Sequence, residues 1–211
     1  MHQFKIFLII IFLAQSVIAS EHSNFCTVTK TTLNDYEPNM FEKSNNLLKK
    51  SGQEIIVSGE KIVIYGRLLD QHCLPISDAK IYIWQVDGHE KYLYLPLRNV
   101  AKNNFIKIDN TTSFTGNGTA TTNNKGEFVF ITIKPKNVHD LPSHINIRAE
   151  HYIFKDIQTR LNISDNQIMD IEDNPSSNLI IKYAQDNNLE IYGYEIVMPG
   201  FGQKKYLNDD M

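Results

Sequence analysis

Cysteine is scarce in this chain: only Cys26 and Cys73 occur among 211 residues. Neither is spaced as a C-x-x-C redox or zinc motif. In an oxidising compartment the pair either forms one disulfide, tying the start of the chain to the later domain, or stays as two thiols. Charge of one sign is also lacking. A formal net charge of −3 supplies no basic field for nucleic acid or an anionic membrane surface. No G-x-S-x-G elbow or Ser-His-Asp arrangement is present, so hydrolase chemistry has no support. Gly116 and Gly118 lack the strand-to-helix setting of a phosphate loop and read as turn residues. Internal repeats and low-complexity segments are absent too.

Only one long apolar run exists, at the very start. Met1, His2 and Lys5 precede Ile6 to Leu13, and Val17-Ile18-Ala19 leads into the polar Ser20-Glu21-His22. That order predicts a secretory signal peptide over residues 1–19, cut after Ala19. The run is shorter than the roughly 18–20 residues of a spanning helix, so the chain left after cleavage is expected to have no membrane span and to work in the periplasm or outside the cell. Three sequons, at Asn110, Asn117 and Asn162, are chance-level matches in so Asn-rich a chain.

What remains divides into an arm at 20–58 and one domain at 59–211, of a size that buries its own core. The arm is polar, with a weakly helical stretch around Met40 to Lys50 whose Leu47-Leu48 could pack on the domain. From Lys61 the pattern becomes that of strands: Ile62 to Leu69, then Ala79 to Val86, apolar on both faces and expected to be a buried central strand. Thr119 to Thr122 and Glu127 to Ile133 flank Asn123-Asn124-Lys125-Gly126, the pattern of a hairpin. His144 to Glu150 alternates with period two, a short helix is expected near Ser177 to Asp186, and Leu189 to Met198 closes as a strand. The fold class is therefore all-β, a two-sheet sandwich with Trp84 packed between the sheets and the arm lying outside.

The motifs along these strands carry a resemblance. Tyr65-Gly66-Arg67-Leu68-Leu69-Asp70 and Leu74-Pro75-Ile76-Ser77-Asp78-Ala79-Lys80-Ile81-Tyr82-Ile83-Trp84-Gln85-Val86-Asp87 are followed in order by Phe114-Thr115-Gly116-Asn117-Gly118-Thr119. Next come Thr122 to Phe130, Thr132-Ile133-Lys134-Pro135, Leu141-Pro142-Ser143-His144-Ile145-Asn146 and Tyr194 to Met198. This series resembles the intradiol ring-cleavage dioxygenases, enzymes that open catechol rings. The resemblance implies a sandwich of that type and a ferric ion (Fe3+) held by two tyrosinates and two histidines. It also implies a catechol-like aromatic substrate and dioxygen as partners. Phenolate oxygens favour the ferric state and imidazole completes the sphere.

Carried across by position, the first tyrosine falls on Tyr92, eight residues after Trp84, and the first histidine on His144. The second histidine falls on Asn146 and the second tyrosine on Val138. The family's arginine before the first histidine is replaced by Leu141, which removes a cation that would stabilise negative charge on the ring. Its Thr-Gln pair is represented by Gln158-Thr159 in reversed order. Tyr92 reads either as a ligand or as a packed aromatic. Tyr94 shares its strand face and is the alternative if the loop register slips. His139, beside the lost tyrosine, reads either as a replacement ligand or as an ordinary loop histidine, while His72, His89 and His151 lie outside the motifs. Asn146, Gln158 and Tyr94 are expected around the metal or the substrate. Two readings follow: an iron-dependent ring-cleaving enzyme, or a sandwich that has lost catalysis and serves as an exported binding or envelope-associated module.

Overall fold

The computed structural model describes residues 25–33, 36–98, 105–108, 110–138, 141–163, 178–186 and 189–200, with the backbone alone over 178–186. The expected signal peptide and His139 lie outside these residues. Eight strands run in order: β1 Lys61–Leu69, β2 Lys80–Trp84, β3 Asn117–Thr121, β4 Glu127–Ile133, β5 His144–Glu150, β6 Ile157–Asn162, β7 Asn178–Asp186 and β8 Leu189–Val197. They form two four-stranded sheets, β4-β1-β8-β7 and β3-β2-β5-β6. The pairs are antiparallel except β1 with β8, which is parallel.

Alternation explains why these segments become half-buried strands. In β4, Phe128, Phe130 and Thr132 face inward while Val129 and Ile131 face away. The inward residues meet Ile81, Ile83, Ile145 and Ile147 of the other sheet in one core. Each such side chain, fully buried, contributes about 1.5–3 kcal/mol. Two polar clamps cross this core. Gln85, almost fully buried, donates to Ile133 O and accepts from Thr132 Oγ1; Tyr194 OH donates to Asn162 O at 2.8 Å. Buried polar groups so bonded fix how the sheets sit on one another.

Several sequence expectations are corrected. The stretch Met40 to Lys50 is not helical, because its backbone groups bond to the sheets: Leu47 N to Ile131 O, Ile131 N to Asn45 O and Thr119 N to Ser44 O. Leu47 does not lie outside the sandwich but enters its core, completely buried. A Cβ on Gly118 would come within 2.4 Å of Ser44 O and 2.8 Å of Leu47 Cδ1, so glycine is what admits the arm so close. Asn178–Asp186 is a strand, not a helix, paired to β8. The turn at 123–126 exists, with Gly126 at φ 72°, yet β3 and β4 join different sheets and form no hairpin. Trp84 is completely buried, but on the outer face of its sheet in a second cluster with Val86, Tyr92, Tyr94, Phe105 and Val138. The sequon at Asn117 is also closed, since its side chain accepts from Glu42 N and donates to Thr115 O.

The arm is tied down by a disulfide between Cys26 and Cys73, whose Cα atoms lie 5.3 Å apart. From there it crosses the outer face of the second sheet. Thr32 N bonds Gln158 O, Leu97 N bonds Glu37 O and Glu42 N bonds Asn117 Oδ1. Among the described residues no helix is long and apolar enough to cross a membrane.

Candidate functional site

Cross-strand register decides which side chains share the outer face of β3-β2-β5-β6, because directly opposed residues point the same way. Asn117 stands opposite Trp84, Trp84 opposite Asn146, and Asn146 opposite Arg160. His144, two residues before Asn146 and on the same face, stands opposite Asn162. The next row in the other direction is Thr119, Tyr82, Arg148 and Gln158. The face is roofed by the arm: Phe41 packs edge-on against Tyr82 and Trp84, at 4.9 and 5.9 Å between ring centroids, and Glu37 bonds Arg148 at 2.6 Å.

His144 is 5% exposed. Its Nδ1 lies 2.8 Å from Pro142 O. A carbonyl only accepts, so Nδ1 carries the proton and Nε2 keeps its lone pair. Burial lowers the pKa; the Pro142 hydrogen bond opposes this and the charge of Arg160 adds to it. The ring is thus held in the neutral form that binds metals.

Tyr92 is 3% exposed and stacks on Tyr36 at 4.6 Å with an interplanar angle of 12°. Its backbone bridges to Ile106, which anchors a residue otherwise outside regular strands. Tyr94 follows on the same side, with ring centroids 5.6 Å apart. The Tyr94 hydroxyl is buried with no hydrogen-bond partner. Its pKa is pushed well above the ordinary tyrosine range, first by burial and then by Tyr92 and Glu37. A cavity of about 550 Å3 opens beside Tyr94, with Phe41, Leu93, Phe114 and Asn117 among its lining residues, a size suited to a small molecule.

Tyr92, Tyr94 and Val138 therefore belong to one buried cluster whose wall is Trp84. Trp84 is in turn the cross-strand neighbour of Asn146, which donates to Trp84 O at 3.2 Å. Leu141 is 40% exposed, and its backbone pairs with that of Val138. Gln158 shares the face but sits opposite Arg148, one row away from Asn146. The residue that β6 sets against Asn146 is Arg160, which the sequence reading passed over. Its signal was the alternation that carries Gln158 to positions 160 and 162.

Among the described residues no three His, Cys, Asp or Glu side chains gather as a metal site, so a metal here would depend on phenol oxygens. Tyr92, the Tyr94 hydroxyl and Nε2 of His144 are the phenol and imidazole donors of this region, the types that ferric iron takes. The fit is to a reduced set, since Asn146 and Val138 stand at the other two positions.

No protein-family model matches the chain. It is 40% identical over 183 residues to a Rickettsia felis protein named "Putative dioxygenase", covering 87% of each chain. A protein of the same name from Rickettsia bellii is likewise 40% identical, over 184 residues and 87% of each chain. Among solved structures, an intradiol ring-cleavage dioxygenase from Tetranychus urticae matches with a TM-score of 0.59 at 17% identity, over 82% of this chain and 95% of that one. A 3-chlorocatechol 1,2-dioxygenase from Rhodococcus opacus matches with a TM-score of 0.53 at 17% identity, over 86% and 75%. Sequence identity over most of both chains and a shared two-sheet architecture lead to one conclusion: the chain belongs to the family of these rickettsial dioxygenases and has the intradiol ring-cleavage dioxygenase fold.

Proposed function

We propose that the protein is an exported intradiol-type dioxygenase that opens a catechol-like ring with dioxygen, using a ferric ion held by Tyr92, Tyr94 and His144. When bound, ferric iron would activate the catechol toward dioxygen. The chain's own part is to hold the ring and exclude water. The cavity beside Tyr94 offers room for it, with Phe41, Leu93 and Phe114 as an apolar wall and Asn117 among its polar lining. Export accords with the Cys26–Cys73 disulfide, which suits an oxidising compartment. Intact residues 1–19 on a cytosolic protein, seen by mass spectrometry, would refute that part.

The observation that carries the reading is the Tyr94 hydroxyl, buried with no partner beside Tyr92. An unsatisfied buried hydroxyl costs about 1–3 kcal/mol, a cost that a bound cation would relieve. Tyr94→Phe should accordingly stabilise the metal-free protein by about 1 kcal/mol in urea unfolding. The same variant should weaken iron binding by at least about tenfold and alter the tyrosinate-to-iron colour. Wild-type protein that takes up no iron and opens no catechol would overturn the enzymatic reading. The replacements at Val138, Leu141 and Asn146 favour a second reading, a binding module that has lost catalysis, and a colourless, iron-free protein is what that reading requires.

A further inference from the structure

Three arginines of the described strands meet different fates. Arg67 pairs with Glu195 at 2.8 Å, and Arg148 pairs with Glu37 at 2.6 Å and Glu150 at 3.2 Å. Arg160 has no carboxylate partner among the described residues. Its Nε is buried and unbonded, and its Nη2 reaches only the Leu33 carbonyl, at 3.4 Å. The neighbours that strand register sets on its face are Asn146, His144 and Asn162. None of them is a carboxylate, so none supplies a negative charge. A guanidinium whose Nε is withdrawn from water and unbonded gains from an anion that completes its hydrogen bonds. Its planar array of N–H donors suits two oxygens of one anion.

We propose that Arg160 is the anion-recognition residue of the sheet face it shares with Asn146 and His144, and that the ligand it selects is an aromatic oxyanion, a ring phenolate or a ring carboxylate. The cation absent at Leu141 is in effect supplied from a different strand, β6, which approaches the cleft across Asn146. The oxyanion would lie between Arg160 and the Asn146 amide, with the ring toward Trp84. This assignment uses the cleft of the proposed dioxygenase but does not depend on iron.

Binding to the full chain in the presence of a chelator therefore tests it apart from the enzymatic reading. The probes are 4-nitrophenolate, benzoate and neutral nitrobenzene, each compared on wild type, Arg160→Gln and Arg160→Lys. Wild type should bind at least one of the two anions at least about tenfold more tightly than nitrobenzene. Arg160→Gln should lose that preference, and Arg160→Lys, which keeps the charge without the planar fork, should retain part of it. Preference for 4-nitrophenolate alone identifies a ring oxygen as the group held, and preference for benzoate alone identifies a carboxylate. The proposal is overturned if the three probes bind wild type alike. It is equally overturned if Arg160→Gln, folded by circular dichroism, discriminates as wild type does.

Discussion

Replacing Cys26 and Cys73 together by serine is expected to lower the unfolding free energy by about 4 kcal/mol, the chain-entropy value for a crosslink of this span. The two cysteines are 47 residues apart in sequence, and the loop between them contains most of the arm and all of β1. Few other contacts hold the first residues: Cys26 N bonds Gln71 O, and Thr29 exchanges bonds with Val197 through its backbone and its side chain. Urea unfolding of the oxidised protein and the double serine variant measures the difference. A change below about 1 kcal/mol would show that the crosslink does little beyond what these bonds do. The effect also reaches the cleft, because the arm contributes Tyr36, Glu37 and Phe41 to its roof.

His144→Ala is expected to lower iron affinity by at least about a hundredfold, the upper end of what even supporting residues of a metal site command. The reason is that no second imidazole is available among the described residues of this face: Asn146 occupies the next position of β5 on it. Asn146→His should act in the opposite sense, raising affinity by about 10–100-fold, because its side chain shares the face of His144 and is nearly fully buried. Tyr92→Phe should resemble His144→Ala. Iron content and the visible absorption of the four proteins, prepared side by side, measure the series. Equal iron uptake by wild type and His144→Ala would remove His144 from the metal site.

The strands could be read because apolar residues alternate, and that alternation survives in the burial of β1 and β4. What alternation cannot tell is which neighbour a strand will find. Leu179, Ile180, Tyr183 and Ala184 are spaced as a helical stripe, yet the segment extends because β8 offers it a ladder of hydrogen bonds. The turn at 123–126 announces a reversal but not that the chain changes sheets there. The strand around Trp84 is mostly apolar on both faces, so alternation alone does not say which face Trp84 takes. At the site, Tyr92 and His144 were candidates because the motifs set their positions. Arg160 was not, because its role depends on the register of β5 against β6, which no single strand contains.

The pairing of β1 with β8, Ile62 beside Glu190 and Leu69 beside Val197, constrains how the protein comes into being. β1 precedes the other strands of the domain and lies in the interior of its sheet, yet one of its two edges stays open until β8 has been synthesised. Pairing of such distant segments is slow, and an unfilled strand edge in the meantime is a template for association with other chains. A nascent chain that stops short of Leu189 leaves that edge bare, so truncated products should aggregate and not merely lose activity. The enclosed cleft, whose arm is bonded to Val197 through Thr29, is correspondingly a late product of folding.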